Sequence, residues 1–143
     1  MIAVSGQPLP SPFISSQATD VWSGLPDTLS HMEKQHRASR LLVLLSAMGI
    51  EIAEGSWKNL VNPEYTHTEE SIPSSALRYQ LIDAAKKRRV AEVVAISLIM
   101  LGSDGPSKSG LVSLNAVIRA LRKIELEDDA RAIAVEAAIA ATQ

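Results

Sequence analysis

The chain has 143 residues, 46% of them apolar, 3% aromatic and 21% charged, with a formal net charge of −2. That balance excludes a disordered chain and leaves enough apolar mass for a sizeable core, which must be aliphatic because aromatic residues are so few. The absence of cysteine excludes disulfides, thiolate catalysis and cysteine-ligated zinc.

Residues 1–24 read as a flexible tail. Pro8, Pro10 and Pro12 alternate with Leu9 and Ser11 and are followed by Ser15, Ser16 and Gln17, a composition that blocks helix and favours extended chain. The N-terminus lacks the basic stretch and apolar run of a signal peptide. A cytoplasmic protein is therefore expected, or a periplasmic one if a leader precedes Met1. The longest apolar runs, Leu41–Leu45 and Val93–Ile96, fall far short of the roughly 20 residues a membrane span needs.

A single helical domain is expected over residues 25–143. Its first helical region runs from Asp27 to Met48, with Asp27 as the N-terminal cap and Gly49 as the terminator. The half around His31–Arg40 is polar, whereas Leu41-Leu42-Val43-Leu44-Leu45 is apolar on every face. This change suits one long helix entering the core, or two helices joined near His36–Ser39. A short helix over Glu54–Val61 would present Trp57, Leu60 and Val61 on one side. Asn62-Pro63 then breaks the chain, and Tyr65–Ser71 is polar loop.

The second region begins after Pro73, with Ser74 or Ser75 as cap. Leu77, Leu81, Ala84 and Ala85 share one helical face. Lys86-Lys87-Arg88-Arg89 follow at a turn, and the next helix, Val90–Leu101, has only Glu92 and Ser97 as polar members before Gly102 ends it. After the loop 102–112 a third region starts at Ser113. Val112 and Val117 are expected to clasp as a hydrophobic staple, and Leu114, Val117, Ile118 and Leu121 form an apolar face. A turn at Glu125–Asp128 leads to a last helix, Asp129–Ala141, whose leading acids suit the helix dipole. Leu41–Met48, Val90–Leu101 and Ala130–Ala141 are expected to be interior rods, shielded by their neighbours.

Three segments repeat one pattern of charge, small residue, polar position and apolar run: His36–Val43, Arg89–Ile96 and Asp128–Val135, at spacings of 53 and 39 residues. This suggests an array of helix–turn–helix hairpins, each burying a face on the next. Across residues 27–141 the plan resembles tetratricopeptide-like α-solenoids, although the period is not that family's steady 34 and its consensus aromatic and glycine positions are not filled in order. The stretch ALRKIELEDDARAIAVEAAIA, residues 120–140, is similar to the closing hairpin of uncharacterised bacterial helical proteins, a resemblance that implies no activity. The expected fold is all-α, with stacked antiparallel hairpins forming a short α-solenoid or an irregular bundle.

No catalytic, cofactor-binding or metal-binding set is expected. Glu33 and His36 stand one helical turn apart, but a di-iron bundle needs that pair twice. His67, Glu69 and Glu70 lie in a polar loop without a second histidine at a useful spacing. Gly102–Gly110 fails the phosphate-loop order, because Ser107 stands where glycine is needed before Lys108.

Charge carries more information. Residues 1–73 hold 4 basic and 8 acidic side chains, residues 74–123 hold 9 and 3, and residues 124–143 hold 1 and 5. A basic middle between acidic ends suits an acidic partner or contacts between copies. The expected function is a non-enzymatic protein-interaction module, an adaptor or the closing segment of a helical assembly. Arg78, Lys86, Lys87, Arg88, Arg89, Arg119, Arg122 and Lys123 would form the partner-binding groove. The alternative is a nucleic-acid-associated regulator using the 86–89 and 119–123 cations. Against it, the following helix is too apolar to read a major groove, and no aromatic residues interleave with the cations. The last helix leaves little polar surface, so Ile133, Ala137 and Ile139 are candidates for self-association.

Overall fold

The computed structural model describes residues 28–58, 60 and 72–140. It places them in two compact units, Met1–Thr68 and Glu69–Gln143, a division that falls within the expected 25–143 domain. The described residues are all-α: α1 (His31–Ala47) and α2 (Glu54–Lys58) in the first unit, and α3 (Ser75–Lys86), α4 (Val90–Leu101), α5 (Leu111–Lys123) and α6 (Glu127–Ala140) in the second.

In the first unit, α1 is one uninterrupted helix, without a joint near residues 36–39. Its cap is Ser30 rather than Asp27, which lies outside the described residues. The Glu33 N–H donates to Ser30 Oγ over 3.3 Å, and the Ser30 N–H donates to Glu33 Oε2 over 2.9 Å. This reciprocal box satisfies two otherwise orphaned donors, which a lone aspartate further upstream would not do. The same carboxylate accepts the Ser30 hydroxyl, and these bonds hold the Glu33 pKa below its ordinary value. In the apolar half, Leu42 and Leu44 are buried while Leu41, Val43 and Leu45 are half-buried. Buried Gln35 donates through Nε2 to the Leu60 carbonyl at 2.6 Å, tying the end of the α2 segment back to α1. The short helix spans Glu54–Lys58, with Leu60 in a turn beyond it and Trp57 half-buried, while Val61 lies outside the described residues.

The second unit is built from two helix hairpins. Ser74 caps α3 by accepting the Leu77 N–H at 3.2 Å. α3 packs on α4 and on α5, α4 packs on α5, and α5 packs on α6. α5 is the shared element, and its buried arc is correspondingly broad: Ser113, Leu114, Val117, Ile118, Ala120 and Leu121. α3 and α4 each bury a narrower stripe, Leu81, Ala84 and Ala85 on one and Val93, Ile96, Ser97 and Met100 on the other. α6 buries only Ala130, Ala134 and Ala137, small residues that let its axis approach α5 closely. α5 begins at Leu111, with Gly110 at its cap, and not at Ser113. Ser113 is instead a buried first-turn residue, so Val112 lies inside the helix and cannot form the expected staple. The loop before it is stitched by Ser109, whose single hydroxyl proton is shared between the carbonyls of Leu101 and Gly105, at 2.9 and 2.8 Å from its oxygen.

Three helices end in the same turn. After α1, Ile50 N–H reaches Leu45 O at 3.0 Å and Gly49 N–H reaches Ser46 O at 2.9 Å. After α3, Arg89 N–H reaches Ala84 O at 2.9 Å and Arg88 N–H reaches Ala85 O at 3.2 Å. After α5, Leu126 N–H reaches Leu121 O at 3.0 Å and Glu125 N–H reaches Arg122 O at 3.1 Å. Each is a Schellman motif, which requires a left-handed residue just past the helix. Gly49 supplies it without steric cost at φ 80°, whereas Arg88 and Glu125 adopt it at φ 54° and 70° against the usual preference of side-chain-bearing residues.

These two strained positions give the register between the hairpins. Arg88 and Glu125 are thirty-seven positions apart, and that shift carries Leu77 onto Leu114, Leu81 onto Ile118, Val93 onto Ala130, Ser97 onto Ala134 and Met100 onto Ala137. The spacing of 39 expected from the sequence pairs exposed Ala91 with buried Ala130, so it compares different faces of the two helices.

Candidate interaction surfaces

The cations predicted to meet a partner are gathered only in part, and most of them are already engaged. Arg88 Nη1 and Glu125 Oε1 meet at 3.0 Å. This ion pair between the two left-handed turns sets the C-terminal ends of α3 and α5 side by side. Lys86–Arg89, Arg122 and Lys123 therefore collect at one end of the unit. Arg78 lies about two turns back along α3, and Arg119 about one turn back along α5.

Within the cluster, Asp83 accepts from Lys87 Nζ at 2.9 Å and from Arg89 Nη2 at 2.7 Å. The bond from Lys87, with the charges of Arg89 and Lys86 close by, holds the Asp83 carboxyl below its ordinary pKa. Arg89 also pairs with Glu92 at 2.8 Å, and Arg122 with Glu127 at 2.8 Å. Arg119 donates through Nε to Asn115 Oδ1 at 2.8 Å. Four carboxylates thus stand among the eight cations. Exposed pairs of this kind add little stability, but they lower the positive potential a ligand would meet. Lys86, Lys123 and Arg78 are exposed and have no ion-pair partner among the described residues.

The residues expected to carry self-association through α6 are not equivalent. Ala137 is fully buried inside its own unit and is unavailable to a second molecule. Ile133 is half-buried, and Ile139 is 41% exposed.

A larger apolar surface lies on α4. The helix was expected to be shielded on every side, yet only Val93, Ile96, Ser97 and Met100 are buried. Val90, Val94, Leu98 and Ile99 are exposed, Leu98 by 66% and Ile99 by 63%, together with Ala91 and Ala95. At 100° per residue these six side chains cover about half the helix circumference without a charged or polar member. Ile82 and Tyr79 are exposed on α3. Each helix turns right-handed and the pair is antiparallel. Positions that follow a buried residue, Ile82 after Leu81 and Val94 after Val93, therefore emerge on the same side of the hairpin.

The remaining candidates are engaged locally or lie elsewhere. The Glu33 carboxylate of the Glu33–His36 pair is occupied by the cap, and His36 is exposed beside it. His67, Glu69 and Glu70 lie outside the described residues. Among the described residues no group of three His, Asp or Glu side chains is placed to hold a metal ion, and no helix is long and apolar enough to cross a membrane. No protein-family model matches the chain, and no curated protein and no solved structure matches it.

Proposed function

We propose that the chain is a non-enzymatic protein-interaction module, built from stacked helix hairpins in the manner of tetratricopeptide-like solenoids. Its proposed partner is an acidic protein segment, docked at the turn end of the second unit. The observation that carries this reading is the Arg88–Glu125 pair, which gathers cations from two hairpins at one end. There Lys86 and Lys123, at matching positions of the two hairpins, are left to meet carboxylates from outside. The packing order supports the solenoid-like plan. α3 lies against α5, the first helix of the next hairpin, while α6 packs on α5 alone to any comparable extent. A closed four-helix bundle would instead bring α6 back onto α3. An open stack leaves extended surfaces for a partner.

The nucleic-acid alternative is less well supported. Asp83, Glu92, Glu125 and Glu127 alternate with the cations and would repel a phosphate backbone.

A fluorescent hexaglutamate peptide titrated against the full chain tests the proposal. Reversing Lys86 and Lys123 to Glu is expected to weaken binding at least about tenfold, or roughly 1.4 kcal/mol. Reversing Lys87 and Arg88 is expected to weaken it less, because both are already partnered inside the chain. Affinity unchanged by the Lys86/Lys123 reversal rules the site out.

A further inference from the structure

We propose that the outer face of α4 is a self-association surface, on which α4 of a second copy of this chain lies antiparallel. The face itself asks for cover: Ala91, Val94, Ala95 and Leu98 form its centre, all exposed, with Val90 and Ile99 at its flanks. A helix that is to stay in water carries polar side chains there.

The order of sizes along the face selects the occupant. Its small residue, Ala91, lies toward the N-terminus, and its largest, Leu98, toward the C-terminus. A two-fold axis level with Val94 and Ala95 sets Leu98 of each copy over Ala91 of the other. It also brings the two Val94 side chains together on one flank and the two Ala95 side chains on the other. A parallel pair would crowd Leu98 against Leu98 and leave a gap at the two alanines. Such self-complementarity is what an isologous contact requires.

Charge points the same way. Lys86 sits beside the N-terminal end of α4 and Asp104 just beyond its C-terminal end, and neither has an ion-pair partner among the described residues. The antiparallel arrangement sets the end of α4 that stands beside Lys86 in one copy against the end that precedes Asp104 in the other, and it opposes the two helix dipoles favourably. None of this depends on the acidic-ligand site, apart from the shared use of Lys86.

The test uses the full chain in sedimentation over a wide concentration range, with cysteine placement to read the register. The chain has no cysteine of its own, so a single introduced thiol reports only on itself. The wild type is expected to sediment as a dimer at high concentration. Oxidised Val94→Cys is expected to form a covalent dimer. In Leu98→Cys each thiol sits about 5 Å from the axis, leaving the two about 10 Å apart along the helices, beyond disulfide reach. Leu98→Glu is expected to give a monomer with unchanged helical circular dichroism. Lys86→Asp and Asp104→Lys are each expected to weaken the dimer, and the two together to restore it.

A wild type that stays monomeric at every concentration overturns the proposal, and so does a dimer that survives Leu98→Glu. A dimer in which Val94→Cys fails to cross-link while Leu98→Cys succeeds overturns the antiparallel register. A face covered by a foreign protein would leave the purified chain monomeric and so counts against the proposal as well.

Discussion

Replacing Ile118 by alanine is expected to cost about 3 kcal/mol of stability. Ile118 is fully buried in the middle of α5, the helix on which α3, α4 and α6 all pack. Truncation removes three carbons from a site walled by three other helices, so little collapse can fill the space, and the lost transfer energy is joined by a cavity term. In urea this should lower the midpoint of the cooperative transition by about 1–3 M, given ordinary slopes for a domain of this size. Leu98→Ala is the matched control. It removes a side chain of the same carbon count from a position 66% exposed, and measured on dilute protein it should change stability by no more than about 0.5 kcal/mol. Equal losses at the two sites would mean that α5 is not the shared core of the unit.

Ala137→Leu is expected to destabilise the second unit by about 1–3 kcal/mol through overpacking. Ala130 and Ala137 are fully buried and Ala134 nearly so, and together they are the whole buried face of α6. Leucine adds three carbons at a fully enclosed position, and fitting them requires α6 to shift from α5 or the side chain to take a poor rotamer. The corresponding position on α4 is Met100, a long side chain that is also buried, so the same position of the two hairpins takes side chains of very different volume. Were Ala137 a contact for a second molecule, the substitution would alter association and leave the isolated chain's melting unchanged. Melting at concentrations where the chain is monomeric separates the two outcomes.

Much of the helical layout was legible because the decisive signals are local. A cap at Ser74 or Ser75, of which the structure uses Ser74, the turn at Lys86–Arg89, Val90–Leu101 as a helix and Gly102 as its end all follow from neighbours a few positions apart. The shifted boundaries have a common cause: a weaker local signal stands close to a stronger one. Asp27 lies three residues before the Ser30–Glu33 box that caps α1, and Ser113 three residues after the Gly110 that caps α5. The turns around Arg88 and Glu125 are legible, but their left-handed residues are not, since side-chain-bearing residues give no sign that they will turn left-handed. Without those two marks the sequence pattern aligns the hairpins two residues out of step.

The candidate sites were less legible for a different reason. The pairing of Lys87 with Asp83 and of Arg89 with Glu92 lies at helical spacing and is legible in the sequence, whereas Arg89 reaches Asp83 from six positions away, across the turn. The Arg88–Glu125 pair is not legible, because it depends on two hairpins standing side by side. The exposure of the α4 face is not legible either, because composition reports that a helix is apolar, not which neighbours are present to cover it. Val93 and Val94 are chemically identical, and only the packing of α3 and α5 buries one and exposes the other.

The side-by-side arrangement of the two hairpins, with both turns at one end, underlies the register, the cation cluster and the proposed partner site together. Nitroxide labels on Arg88→Cys with Glu125→Cys, read by dipolar spectroscopy on dilute full-length chain, measure it most directly. The arrangement predicts a short, single label separation and a longer one, by about the 18 Å length of a twelve-residue helix, when the second label is moved to Asp104→Cys. Turns lying at opposite ends of the unit would reverse that order, and the account would then be wrong.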